Sequence, residues 1–164
     1  MSETSKKVVK VNCFVEADHA GDVVSRRSHT DILLYVNIAS VIWYSKQQKF
    51  VETSTFGLES TALKIATKRI EGLRYILRMF GVHIDGPANV FGDNQPVINN
   101  TTIPESPLRK KHVAICYHRV REACASGLIR NAKENSRTKL TDILTKSLDS
   151  QKQKCLPDLI VKHS

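Results

Sequence analysis

No stretch of this 164-residue chain approaches the ~18 unbroken apolar residues that a membrane-spanning helix requires. Glycine and proline are sparse, at 7 and 5, which excludes collagen-like and low-complexity chains. The four cysteines, Cys13, Cys116, Cys124 and Cys155, form no Cys-x-x-Cys pair. The six histidines are scattered, and no two stand four apart as a helical metal pair would. Nothing in these spacings supports a zinc site, and reduced, mostly buried thiols are the expectation. The basic residues at the start have no apolar run behind them, so they do not read as a secretory signal, and an intracellular location is expected. Acidic residues are also in short supply: 16 stand against 25 Lys and Arg, a net charge of +9. That excess favours a polyanionic partner, of which nucleic acid is the commonest.

What is present fits one soluble domain. Hydrophobic residues make up 41% and charged residues 25%, and the length suffices to bury a core. Residues 8–18 alternate well enough to read as a strand, with Val9, Val11, Cys13 and Val15 on one face and Phe14, Glu16 and Asp18 on the other. Short apolar runs at 32–36 and 41–44 flank a tight link at Asn37, so three antiparallel strands are expected to open the fold. Trp43, the only tryptophan, is expected in the core. The period then changes. Leu58, Ala62, Ile65, Ala66, Ile70, Leu73, Leu77 and Phe80 recur at steps of three and four, the pattern of a long amphipathic helix. Thr53, Ser54 and Thr55 offer N-caps, and Gly81 sits where a helix-ending glycine belongs.

Residues 88–91 read as a short buried strand, with a short helix expected from about Pro96. A second amphipathic helix is expected over 108–126, its apolar face made by Val113, Cys116, Val120 and Cys124. A last strand at 128–132 and a helix at 140–148 follow. The expected order is β-β-β-α-β-α-α-β-α, with residues 1–10 as an extension, 11–150 as the domain, and 151–164 as a tail that is helical or disordered.

Four carboxylates stand at the ends of these elements. Glu16 closes the first strand and Glu59 lies in the first turn expected for the long helix. Asp93 follows the short buried strand, and Asp142 lies near the start of a late helix. Carboxylates distant in sequence but joined in space are what a hard divalent cation needs, and Mg²⁺ keeps room beside them for substrate phosphate. Two such ions can clamp the attacking and leaving oxygens of a phosphodiester. By position alone, caps and solvated turns explain the four equally well.

The local words are more specific. In order they are Glu-Ala-Asp-His-Ala-Gly-Asp at 16–22, Trp-Tyr-Ser-Lys-Gln at 43–47, Glu-Ser-Thr-Ala-Leu at 59–63 and Gly-Asp-Asn-Gln at 92–95. Lys-His-Val-Ala-Ile-Cys-Tyr-His-Arg-Val-Arg-Glu at 111–122 and Asp-Ile-Leu-Thr-Lys-Ser-Leu at 142–148 complete the series. This succession resembles the ribonuclease H domain at the end of the Pol polyprotein of copia-type LTR retrotransposons, over about residues 12–150. The resemblance implies an α/β, ribonuclease H-like fold: a five-stranded mixed sheet, its first three strands antiparallel, flanked by helices. It implies cleavage of the RNA strand of RNA–DNA hybrids, with Mg²⁺ or Mn²⁺, two ions, held by Glu16, Glu59, Asp93 and Asp142. No small-molecule cofactor and no membrane partner is implied, and a reverse transcriptase domain normally shares the polyprotein. A virus-like particle in the cytoplasm, or the nucleus, is the location that this implies. An integrase core is disfavoured, because the words at 93–95 and 142–146 belong to the ribonuclease H domain.

The sequence departs from the family's pattern in places. Glu16 stands where the family has Asp, and the extra methylene moves its oxygens by roughly an ångström, a misplacement that can cost about a hundredfold in rate. Asp18 is a further candidate ligand, its other reading being a cap of the following turn. Gly57, Gly92, Ala114 and Ser147 replace a Glu, a Cys, an Asp and a Pro of the family's words, none of them at a ligand position. The alternative function is therefore a weak or inactive relic that binds nucleic acid without cutting it. Binding is expected to fall to Arg109, Lys110, Lys111, His112, Arg119 and Arg121, crowded on the second helix, with Lys46, Lys64 and Lys68 as weaker candidates. Cations at a helix N-terminus oppose its dipole, so Arg109 to Lys111 gain nothing locally; they read either as phosphate contacts or as a solvated face.

Overall fold

The computed structural model describes residues 8–18, 27–49, 54–92 and 111–132. Nine elements follow in order: β1 (Val8–Val9), β2 (Val11–Asp18), β3 (His29–Val36), β4 (Ala39–Gln47), α1 (Thr55–Met79), β5 (His83–Ile84), β6 (Ala88–Phe91), α2 (Lys111–Ala125) and β7 (Ile129–Ala132). Five strands form one mixed sheet in the order β4-β3-β2-β6-β7. The first three in the chain are antiparallel, while β6 runs parallel to β2 and β7 parallel to β6. The single strand expected over 8–18 is broken at Lys10, and its first piece pairs in parallel with β5, a strand the hydropathy pattern did not announce. The short helix from Pro96, the helix at 140–148 and the tail lie outside the described residues.

β2 is central: it has a strand on each side, and Val11 to Val15 is buried throughout, the continuous burial that an inner strand of a mixed sheet shows. Its register with β3 places Cys13 opposite Leu34 and Val15 opposite Ile32. These side chains meet Ala62, Leu63, Ala66 and Ile70 of α1 and Tyr117, Val120 and Ala123 of α2 in one apolar core. The helix face on α2 thus differs slightly from the expected one: Tyr117 and Ala123 are buried, and Cys124 is half-buried at the margin.

The helix ends follow from local chemistry. Ser54, in extended conformation, caps α1 by accepting the Gly57 amide on its Oγ at 3.1 Å. With Thr55 as the first helical residue, Glu59 falls in the second turn, not the first. At the far end Gly81 adopts φ +71°, and the Gly81 and Val82 amides donate to the Arg78 and Leu77 carbonyls. Gly127 closes α2 with the same pair of bonds. Asn37, at φ 55°, turns β3 into β4, and its side chain accepts the Lys10 amide at 2.9 Å.

Trp43 corrects the expectation of a core tryptophan: it is 71% exposed. The reason lies in its strand. Among the described residues β4 has a neighbour on one side only, and Trp43 pairs with Leu33, on the sheet face turned away from α1 and α2.

Candidate active site

The face of the sheet that the two helices leave alone carries Asn12, Phe14, Glu16 and Asp18 of β2, because alternate residues of a strand share a face. Directly opposite on β3 stand Tyr35, Leu33, Asp31 and His29. The rows change character along the strand. Asn12 accepts from Asn89, and Asn89 in turn accepts from Arg130, a polar tie across β2, β6 and β7. Next comes an aromatic cluster. Phe14 stacks on Phe91 at 4.9 Å between centroids and meets Tyr35 edge-on at 5.9 Å. Burial pushes the Tyr35 phenol up, and a hydrogen bond with Ser40 opposes the shift.

Beyond the aromatics the face turns acidic. Glu16, half-buried, is paired in register with Asp31, which is only 4% exposed. Like charges facing each other across an antiparallel pair repel. Asp31 Oδ1 is buried and has no hydrogen-bond partner, and a buried polar oxygen left so is costly. Two carboxylates in a cross-strand pair, one with an unused buried oxygen, form a donor set of oxygen atoms alone. Such a set fits a hard divalent cation and not a thiophilic one.

The remaining expected residues are distributed as follows. Glu59 is half-buried on α1. Asp18 is exposed at the end of β2, paired in register with His29. Asp93, Asp142, Arg109 and Lys110 lie outside the described residues, and among the described residues no three ligating side chains converge on one point. Lys111, His112 and Arg121 are exposed on α2. Arg119 differs from them: it binds Glu71 of α1 at 2.7 Å and Glu122 at 3.3 Å, and the Glu71 hydrogen bond above all raises its pKa. It therefore ties the two helices together.

Two features escaped the sequence reading. Asp31 did, because the apolar run was taken to begin at Ile32. The second is a cleft of about 740 Å³ between β4 and α1, bordered by Lys46, Lys49, Lys64, Lys68 and Arg69. Arg69 lies over the Tyr44 ring at 4.8 Å. Lysines at 46, 64 and 68 were visible as charges, but only the packing of α1 against the sheet gathers them.

Comparison with known proteins agrees with this architecture. Two solved structures match it over 82% of the chain, each at 15% identity and a TM-score of 0.52. One is the RNase H1 of the archaeon Halobacterium salinarum, and the other is LC11-RNase H1 in complex with an RNA/DNA hybrid. The match covers 93% of each of those chains. The fold is the ribonuclease H fold.

In sequence, the chain is 29% identical over 151 residues to the retrovirus-related Pol polyprotein from transposon TNT 1-94 of Nicotiana tabacum. It is 27% identical over 140 residues to the corresponding polyprotein from transposon RE1 of Arabidopsis thaliana. These matches take in 92% and 85% of the chain, which spans only 11% and 10% of the two polyproteins. The resemblance to a ribonuclease H domain of a retrotransposon Pol polyprotein thus holds in both sequence and fold. No family model matches the chain.

Proposed function

We propose that the chain is a metal-dependent ribonuclease H of the copia type, cutting the RNA strand of RNA–DNA hybrids within a polyprotein that also supplies reverse transcriptase. The observation that carries this reading is the position of Glu16 at the acidic end of the central strand, beside a parallel strand that leads to Asp93. Phe14 pairs with Phe91 in the parallel register, and two residues further along each chain come Glu16 and Asp93. Glu59 and Asp142 complete the carboxylate set. When bound, Mg²⁺ or Mn²⁺ supplies Lewis-acid activation of water and neutralises charge at the scissile phosphate.

The chain's own residues do the rest. The four carboxylates hold the cations and fix where a phosphate can enter. Lys111, His112 and Arg121 approach the backbone of the hybrid, whose recognition rests on phosphates, 2′-hydroxyls and A-form shape more than on base sequence. The second reading, a nucleic-acid-binding relic, is favoured by a single feature, the Glu16 side chain in a position where the family carries the shorter Asp.

Cleavage of a labelled RNA–DNA hybrid in Mg²⁺ and in Mn²⁺ tests both. The wild type should cut, and Asp93→Asn should lose ~100-fold or more in rate, since changing even the partners of metal ligands costs about 10–100-fold. Glu16→Asp should equal or exceed the wild type. If only Glu16→Asp cuts, the natural chain is a damaged enzyme. If neither cuts while the folded protein binds hybrid with a steep salt dependence, the relic reading stands and the enzyme reading falls.

A further inference from the structure

We infer that Asp31 is a cation-binding carboxylate of this site, acting with Glu16 across the β2–β3 pair; the inference rests on the ribonuclease reading and adds to it a ligand from a strand none of the other four occupies. Three observations join here. The register is regular between β2 and β3, so Glu16 and Asp31 stand face to face on the same side of the sheet. Asp31 is almost wholly buried, and its Oδ1 makes no hydrogen bond. The third residue of the row, Ser45 of β4, is short and exposed, and contributes no charge that would offset a buried carboxylate.

Two acids in this relation have a limited set of ways to be stable. A cation from a neighbouring side chain is one, and no salt bridge to Asp31 exists among the described residues. A divalent ion held by the pair is another way to keep Asp31 ionised beside Glu16. It turns the repulsion into the reason for binding, because each carboxylate lowers the energy of the ion that the other holds. A β3 ligand also serves the longer Glu16 side chain. Where the extra methylene carries the Glu16 oxygens away from the position an Asp would give them, a carboxylate on the adjacent strand would offer the cation a further oxygen donor.

The test uses the whole chain and Mn²⁺ or Mg²⁺ alone. Calorimetric titration with Mn²⁺ should show binding to wild type, weakened at least ~10-fold in Asp31→Asn and recovered in Asp31→Glu. In EDTA, Asp31→Asn should melt at or above the wild-type temperature, because one of two opposed charges is gone, and should gain less on adding Mn²⁺. No variant is needed for a third measurement: on Mg²⁺ titration of wild type, the ¹³C signal of the Asp31 side-chain carboxyl should shift. Unchanged Mn²⁺ affinity in Asp31→Asn, or an unmoved Asp31 carboxyl signal, overturns the inference. If that happens in a chain that still cuts hybrid, the ribonuclease reading survives alone. If Mn²⁺ binding depends on Asp31 but no hybrid is cut, the cation site stands and the ribonuclease reading falls. A wild type that binds neither ion overturns both.

Discussion

The two faces of the central sheet are built from the same strands and yet obey different rules. Toward α1 and α2, Cys13, Val15, Ile32 and Leu34 meet helix side chains in an apolar layer. Toward the other side, the alternate residues of the same strands pass from amides through stacked aromatics to a pair of acids. Burial of apolar area drives the first face and gives it stability that is indifferent to chemistry. The second spends part of that stability on polar groups whose arrangement is unfavourable without a ligand. A strand with period two can serve both purposes at once, because one residue's displacement along the chain changes the face.

The sharpest way to separate the faces is a cavity on the helix side. Ile70→Ala should cost about 2–5 kcal/mol in denaturant unfolding, as buried Ile→Ala changes do, while cleavage per folded molecule stays at the wild-type level. A change in that rate would show that the two faces are not independent. The polar tie on the other face should give a smaller loss. Asn89→Ala removes the partner of both Asn12 and Arg130 and should cost about 1–3 kcal/mol by the same measurement.

The smallest effect is a pH dependence belonging to the helix side. Burial pushes the Cys13 thiol far up from its ordinary 9.0, so the folded chain holds that proton more tightly than the unfolded chain does. The contribution is intact below pH 9.0 and is lost as the pH rises above it. Thermal midpoints should therefore fall as the pH rises above 9.0, and fall less steeply in Cys13→Val. Equal slopes in the two proteins would assign the loss to the other face, where Tyr35 is also held protonated.

The helix-covered face was largely legible in the sequence. α1 is 25 residues long, its apolar positions recur from Leu58 to Leu77, and Ser54 and Gly81 mark its ends with side-chain and backbone chemistry that is local; Phe80, expected on the same face, is the exposed C-cap. The turn at Asn37 was legible for the same reason, being a short link whose register is fixed by its length. The β2–β3 register was not. The residues between Asp18 and His29 are too many to set a register by turn geometry, so the pairing of Glu16 with Asp31 could not be counted out in advance. Trp43 was misread because hydrophobicity does not tell an edge strand from an inner one; only the sheet order does. Of the candidate site, Glu16 and Glu59 stood out at the ends of expected elements and in the family's words, and the charge on Arg119 was visible without its commitment to Glu71.

The strand that carries Trp43 has a consequence for how the chain behaves in a tube. Among the described residues nothing pairs with the outer edge of β4, which is nine residues long and exposes Ile38, Val41 and Trp43 along or beside it. Backbone groups open at an edge beside apolar side chains are a template for another strand. What opposes strand-to-strand stacking of separate molecules is their mutual repulsion at +9, aided locally by Lys46 and Lys49. That repulsion is screened by salt. The conditions that strip nucleic acid from a basic protein are then the ones that lower its colloidal stability, and a bound polyanion that cancels the charge does the same unless it covers the edge.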